Sequence, residues 1–512
     1  MDRMDRVDFK PTVFPQLTAG DMDAAADAYA AAPLLNCLLR ELADPTGEPG
    51  VFRLRASGRE LRVRGTRRPF APELRADGAR RRLTHPELIA LAAGELREFT
   101  GVDNTGLPAE MTDSRDVVAA LLRARARTTP PEDPYLRSEQ SLIMGHPYHP
   151  APKTRGGGPA SGWLPYAPEA YTRFPLELLA VREDAVVEEG DTRALDALGR
   201  APAGYRLLPA HPWQLTLTGS IPAIRDAFAD GRLLRLGPTA RPLWPTAAIR
   251  TLYAPEDDLF VKFSLDVRIT NDIRRLWRHD LLKMRATDAA TAAAFAAQDG
   301  PAAWLGDRGY RTAGFAFEEL AVLVRDGLRP HLLPGATPLL AAALVEGFEG
   351  SPLDRLTDPA DWWHAYLRHT VPPVLEAFAR HGVVVEAHLQ NTLVAVDGDG
   401  MPVQALYRDA EGVKLLPEVT RAAGWERLVY CLVVNHLSEL AALLAERFPG
   451  TDPWPAVRGE LRHCGADHDL PEVAALLTSP TLPGKTNLLL RWTSADGAAA
   501  RYVPLPNPLA GT

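Results

Sequence analysis

Four groups of polar side chains in this sequence have the make-up of a site that handles anions. The first is GHPYHPAPKTRGGG, Gly145 to Gly158, which places His146, His149, Lys153 and Arg155 within a few residues. Pro147, Pro150 and Pro152 fix φ and exclude a helix. Gly156, Gly157 and Gly158 then permit positive φ or a close approach to a ligand. A stiff loop carrying two imidazoles and two cations suits a small, multiply anionic molecule, because a planar guanidinium and a point-charge ammonium both answer carboxylate or phosphate. A solvated basic turn satisfies the same pattern.

The second group is the run KFSLDVRIT from Lys262. Its alternation predicts one nine-residue strand, with Phe263, Leu265, Val267 and Ile269 on one face and Lys262, Ser264, Asp266, Arg268 and Thr270 on the other. NDIRRLWR follows and predicts a short helix that carries Arg274 and Arg275, with Thr270 or Asn271 as its cap. Cations and hydroxyls that lead into a helix N-terminus make a phosphate seat, although a polar strand face is ordinarily just solvated.

The third group is VVVEAHLQNTLVAVDGDGMPVQALYRD, two or three strands joined at DGDG. Alternation puts Glu386, His388 and Gln390 on one face, Asn391 opens the next strand, and Arg408-Asp409 closes the one after. Glu386, Asn391 and Asp409 are hard oxygen donors suited to Mg²⁺. The fourth is YRLLPAHPWQ, a strand running into a turn at His211-Pro212 beside Gln214, where a satisfied structural histidine is the simpler reading.

Other motifs lack their context. LPGKTN, from Leu482, resembles the end of a phosphate-binding P-loop, but Ser479 stands where that loop needs glycine and no convincing strand precedes it. The His146/His149 pair and the His463, Cys464, His468 group have zinc-like spacing, without neighbouring carboxylates in the first and with a helix-end surface reading for the second. No GxGxxG follows a strand, and no GxSxG is present.

These groups hang on a mixed set of elements. A helix is expected over residues 21–42, broken or kinked at Pro33, then a hairpin turning at Ser57-Gly58. Two amphipathic helices follow, one from His85 and one capped by Asp113 or Ser114, in a mainly helical region ended by TTPPEDP. Arg80-Arg81-Arg82 reads as a solvated turn. Residues 280–300 read as a helix, and the stretch from Gly314 as a strand or hairpin carrying Arg325. A long helix interrupted at Pro372-Pro373 ends at Gly382, and a helical C-terminal part closes on a strand-like NLLLRW.

At 512 residues the chain is long enough for two or three domains, and 46% hydrophobic with 24% charged residues is an ordinary globular composition. With 57 basic against 65 acidic residues the net charge is −8, so no general affinity for nucleic acid is expected. Three scattered cysteines make no disulfide framework and fit a reducing compartment. The start, MDRMDRVDFKP, lacks an apolar h-region, and no window approaches eighteen apolar residues, so the expectation is a cytoplasmic protein without a membrane partner.

GHPYHPAPKTRGG, the HPWQ turn, the KxS strand followed by TNxxR, EAHLQN and a later RD stand here in the order found in one family. The chain resembles the synthetases that build siderophores without a nonribosomal peptide template, the aerobactin-synthetase-like family, from Glu139 to Asp409. The resemblance implies an α+β cupped hand: a helical thumb (1–138), fingers (139–330) and a palm (331–512). It implies ATP and Mg²⁺ as cofactors, adenylation of a carboxylate such as citrate, attack by an amine or hydroxyl, and a homodimer. By this similarity His388, Arg274 and Lys262 would be catalytic. His146, Lys153, Arg155, Ser264, Thr270, Asn271 and Asp409 would join them around ATP. His149, His211 and Arg408, with Lys153 and Arg155, would face the carboxylate substrate, and Glu386, Asn391 and Asp409 would hold the metal. A non-catalytic carrier of citrate or iron–citrate, and a ligase for another carboxylate natural product, are the alternatives.

Overall fold

Short apolar-alternating runs pair mostly with antiparallel neighbours and, among the described residues, build seven small sheets threaded between helices. The computed structural model describes residues 19–76, 78–495 and 502–510, so the expectation about the first eleven residues lies outside the described part. The class is α+β, as expected. One strand pair, Ala303–Leu305 on Pro402–Arg408, is parallel.

The opening helix, Ala19–Leu42, runs unbroken through Pro33, so that of the break or kink expected there the break is absent. Leu34, Leu35, Cys37 and Leu38 are fully buried around the proline. Each such side chain contributes about 1.5–3 kcal/mol, which offsets the roughly 3 kcal/mol that an internal proline costs. Next comes a five-stranded meander, from Ala43–Pro45 to Ala79–Arg82, so this region is less helical than expected. The Ser57-Gly58 turn forms, with Gly58 at φ 68°, and the three arginines sit on the outer strand and not in a turn. The helix His85–Thr100 starts on a Thr84 capping box. The following helix begins at Gly106, not at Asp113, and runs to Arg125. Asp113 and Ser114 are therefore inside it, free to bond elsewhere.

NLLLRW is a helix, Asn487–Trp492, and not a strand. The buried carboxylate of Glu41 accepts the N–H groups of Leu488 (2.9 Å) and Leu489 (2.8 Å), which satisfies two donors that a helix start leaves open. Leu488 and Trp492 thereby join the apolar cluster of the N-terminal region.

KFSLDVRIT is two strands. Leu259–Phe263 lies in a six-stranded sheet, while Leu265–Ile269 pairs with Asp272–Arg274 in a separate hairpin. The break is at Ser264, whose Oγ accepts the Leu276 N–H at 2.9 Å. Thr270 takes φ 62°, which reverses the chain, so the expected short helix is absent and the next helix starts at Arg278. No helix N-terminus is available there to seat phosphate.

The C-terminal half holds the four-stranded sheet Ala303–Leu305, Pro402–Arg408, Thr392–Val396 and Thr337–Leu340. Helices Pro359–Thr370 and Pro372–His381 meet at Pro372, and Gly382 ends the second at φ 65°. The helix Arg421–Arg447, with a π-helical middle at Val429–Leu437, is apolar and long enough to cross a membrane, which the sequence reading overlooked. Its apolar window is 72% buried inside the protein, as a core helix would be.

In the six-stranded sheet Gly309 pairs with Gly190, which sits at φ 78°. A Cβ at Gly190 would meet the Arg308 carbonyl and Gly309 Cα. Gly190→Val is expected to lower stability by about 2–3 kcal/mol, read from the urea midpoint, because both the backbone angle and the space refuse a side chain.

Candidate active site

The proline-rich loop is irregular throughout, with positive φ at Gly145, Gly156 and Gly157. It is not a solvated turn: His149, Lys153, Thr154 and Arg155 are all buried. Neighbouring elements hold its backbone. Ser114 Oγ accepts the Lys153 N–H at 3.0 Å, and Asp113 Oδ2 accepts the Arg155 N–H at 2.9 Å and the Thr154 hydroxyl. Asn36 donates to the Pro147 carbonyl at 3.1 Å and Asn487 to that of Tyr148 at 2.7 Å.

The loop's two cations are already paired. Lys153 Nζ donates to Glu169 at 2.6 Å and to the Leu142 carbonyl at 2.7 Å, and Arg155 donates to the same Glu169 oxygen at 3.0 Å. Burial opposes ionisation of Glu169, yet Lys153 and Arg155 outweigh it and hold its carboxyl at about 2. Arg408 is likewise engaged, twice with buried Glu139 (2.6 and 3.2 Å) and once with the Gln390 carbonyl.

The histidines share one local geometry. In His146-Pro-Tyr, His149-Pro-Ala and His211-Pro-Trp, as in His388-Leu-Gln, Nδ1 accepts the backbone N–H two residues on, at 3.0 to 3.2 Å. Each ring, when neutral, therefore carries its proton on Nε2 and presents it as a donor. Burial, then the charges of His388, Lys485 and Arg40, push His146 down to about 3, and burial likewise lowers His149 and His388. His149 Nε2 and Asn271 Oδ1 are both buried and face each other, and neither has another hydrogen-bond partner among the described residues. His211 is enclosed by the rings of Tyr166, Phe174 and Phe263.

Below these rings lies a buried charge network. Lys262, 2% exposed, donates to Asp409 at 2.6 Å and to Glu411 at 2.7 Å. Arg250 reaches Glu411 at 3.0 Å and the carbonyls of Arg274 and Arg275, and Arg325 bridges Asp307 (2.7 Å) and Asp409 (3.2 Å). Burial opposes both acids, but Lys262 and Arg325 keep Asp409 well below the carboxylate range, and Lys262 and Arg250 hold Glu411 at about 2. Asp409 itself stands at φ 84°, a strained angle for a non-glycine residue.

Two site cations form no ion pair among the described residues. Arg274 donates only to the Ile269 carbonyl (2.7 Å) and the Thr270 hydroxyl (2.6 Å), and Lys485 sits close enough to His146 to depress it. Asn271 donates to Asn487 at 3.1 Å. The GKTN segment set aside as a broken P-loop thus borders the site, as the end of the strand Thr481–Lys485 and the start of the next helix.

EAHLQN is a turn and not a strand, because the His388 carbonyl accepts the Asn391 N–H at 3.0 Å and the Thr392 hydroxyl at 3.1 Å. Glu386 is ion-paired to Arg427. Among the described residues no three His, Cys, Asp or Glu side chains form a metal cage. Glu411, Arg250, Asp307, Lys485 and Asn487 were not anticipated as site residues. Only the GKTN run carried a signal in sequence; the others are single residues whose relevance is their place in space.

Residues 134–346 match the IucA / IucC family, and residues 360–500 match the ferric iron reductase FhuF-like transporter family. The L-2,3-diaminopropanoate–citrate ligase of Staphylococcus aureus (strain NCTC 8325 / PS 47) is 29% identical over 439 residues, 74% of this chain and 75% of that protein. The spermidine-citrate ligase of Bacillus anthracis is 24% identical, covering 73% of each. ATP-bound aerobactin synthetase IucA from a hypervirulent pathotype of Klebsiella pneumoniae superposes with a TM-score of 0.80 at 22% identity, over 94% of this chain and 99% of that one. The petrobactin biosynthesis protein AsbB of Bacillus anthracis gives 0.77 at 18% identity, over 96% of each.

Glu169→Gln is expected to cost about 3–5 kcal/mol at pH 7, since it leaves two buried cations uncompensated. The depressed carboxyl adds stability above its unfolded value of 4.5 that is lost as pH falls towards about 2. Urea titrations across that window should therefore show a pH-dependent loss in the native protein that is absent from the variant.

Proposed function

This chain belongs to the IucA / IucC family, and we propose that it is an ATP-dependent ligase of siderophore assembly that activates citrate, or a citrate-like acid, and joins it to an amine or hydroxyl. The observation that most supports this is the pairing of neutral Nε2–H donors at His146, His149 and His388 with the unpaired cation Arg274, beside the Lys262–Asp409 network. Fixed donors and a cation without a counter-ion are what a triphosphate and a carboxylate need when brought together.

In the reaction a carboxylate oxygen attacks the α-phosphorus, pyrophosphate leaves, and the amine or hydroxyl then displaces AMP from the acyl-adenylate. Arg274, with Thr270 and Asn271, would bind phosphate oxygens, and Lys262 and Ser264 would shape the floor beneath them. His388 would donate Nε2–H to an α-phosphate oxygen as negative charge builds there. His146 and His149 would orient the acid, and His211 would brace that wall. Lys153, Arg155 and Arg408 act, in this reading, mainly by holding Glu169 and Glu139 and by adding positive potential at the substrate carboxylates. Mg²⁺ would supply charge neutralisation at the pyrophosphate leaving group. Asp409, which makes its ion pairs through Oδ1 and stays partly exposed, fits an ion held by one or two carboxylates and the phosphates, with Glu386 and Asn391 as further oxygen donors. A homodimer in a reducing, cytoplasmic setting completes the proposal. The three buried free thiols agree with that compartment, and light scattering checks the dimer.

Pyrophosphate release should require ATP, Mg²⁺ and a carboxylate, with citrate the first to try; binding of the acid without any nucleotide dependence would instead indicate a carrier. Arg274→Ala and His388→Ala should each lower turnover by at least about 10²-fold while far-UV circular dichroism stays native. Near-full activity in either variant would move the reacting centre elsewhere.

A further inference from the structure

The turn that presents His388 is held from behind by a further histidine, to which the ligase reading gives no part. His436 lies in the π-helical stretch Val429–Leu437 of the helix Arg421–Arg447, a geometry that is rare and recurs at functional positions. His436 and Tyr366 are both 0% exposed. The His436 Nδ1 lies 2.7 Å from the Ala387 carbonyl oxygen and its Nε2 2.5 Å from the Tyr366 hydroxyl. A carbonyl oxygen can only accept, so Nδ1 carries a proton. Burial, with the charge of His388 adding to it, outweighs the Ala387 hydrogen bond and pushes the imidazole down to about 4. The neutral ring therefore has its lone pair on Nε2, and the Tyr366 O–H donates to it. This is the opposite tautomer to the one at His146, His149, His211 and His388. Tyr366 is itself fixed, because its ring stacks on Trp362 and on Trp363 at centroid distances of 5.2 and 5.5 Å.

We propose that His436 is a positioning residue: the Tyr366 O–H, the His436 ring and the Ala387 carbonyl form one buried line of hydrogen bonds that sets the peptide before His388 and so aims the His388 Nε2–H. The proposal rests on the ligase reading above, in which that N–H meets an α-phosphate oxygen. A peptide group is planar, so fixing the Ala387 oxygen fixes the His388 nitrogen and Cα in the same plane. The hydrogen bonds of His388 itself run the other way along the chain. Its Nδ1 accepts the Gln390 N–H, and its carbonyl accepts the Asn391 N–H and the Thr392 hydroxyl. Those bonds shape the turn from within, whereas His436 ties the Ala387–His388 peptide to another element. An apolar side chain at 436 would fill the same core without desolvating two nitrogens, so the imidazole is explained by what those nitrogens bind. A donor that is mis-aimed by about 1 Å loses rate more than affinity, which sets the form of the test.

The test follows pyrophosphate release by the full chain with ATP, Mg²⁺, citrate and hydroxylamine as a generic acceptor. His436→Leu should lower kcat by at least about tenfold while the KM values for ATP and citrate move less than about twofold, because aim is lost and binding is not. His436→Asn, which keeps a donor for the Ala387 carbonyl, should recover part of the loss, and Tyr366→Phe should show a smaller loss of the same kind. In a His388→Ala background, His436→Leu should cost less than about twofold, since nothing is left to aim. Equal factors in both backgrounds, or a KM rise that accounts for the loss, would overturn the assignment. Nitrogen-15 NMR of histidine-labelled protein reads the geometry without turnover, with the His388 signals assigned by their absence in His388→Ala. The His388 Nε2–H signal should move in His436→Leu, or in Tyr366→Phe if the first variant does not fold, and an unmoved signal overturns the proposal. Should no carboxylate release pyrophosphate, the ligase reading fails by itself, and the NMR comparison alone decides whether His436 sets the His388 ring.

Discussion

The constraint on which this site depends is the compensation of buried charge. Lys262, Arg250 and Arg325 share Asp409, Glu411 and Asp307 in one connected network, and each of these ions would be prohibitively costly alone. The network ties the six-stranded sheet, which supplies Lys262 and Arg325, to the segment after Pro402–Arg408, which supplies Asp409 and Glu411. It therefore sets the distance between two sheets that share no backbone pairing. Lys153 and Arg155 on Glu169, and Arg408 on Glu139, extend the same principle to the loop and to the turn at His388.

Against that neutralised background, the few unpaired groups acquire meaning. Arg274 and Lys485 form no ion pair among the described residues, while Lys153, Arg155, Lys262 and Arg408 are all engaged. A ligand anion gains most from the first set, because the second already has counter-charges in place. The histidines add direction. A proline or leucine after each ring lets the next N–H turn back onto Nδ1, so the proton is presented at Nε2, and burial keeps the rings neutral at physiological pH.

Much of the site was legible from residue types. His146, His149 and the glycines of the first loop announce a stiff, irregular segment, since proline and glycine act on the backbone locally. The paired-strand reading of Pro402–Arg408 and the Gly382 stop were equally local signals. The errors share a cause. Alternation over KFSLDVRIT is the same for one strand as for two, and the break is set by tertiary hydrogen bonds, with the Leu276 N–H on Ser264 Oγ and the Asp266 N–H on Gln214. Asp113 and Ser114 have the chemistry of a helix cap, but they serve the loop because it lies against them. NLLLRW is helical because Glu41, far away in sequence, caps it.

What the sequence alone determined was the inventory: which side chains can bind anions, where the backbone is stiff, and the family to which their order belongs. These follow from residue chemistry and from interactions within a few positions. Which cations are neutralised and which stay without a counter-charge was decided only by tertiary structure. Charge pairing joins residues as far apart as Lys262 and Glu411, or Arg408 and Glu139, and no local rule specifies such partners.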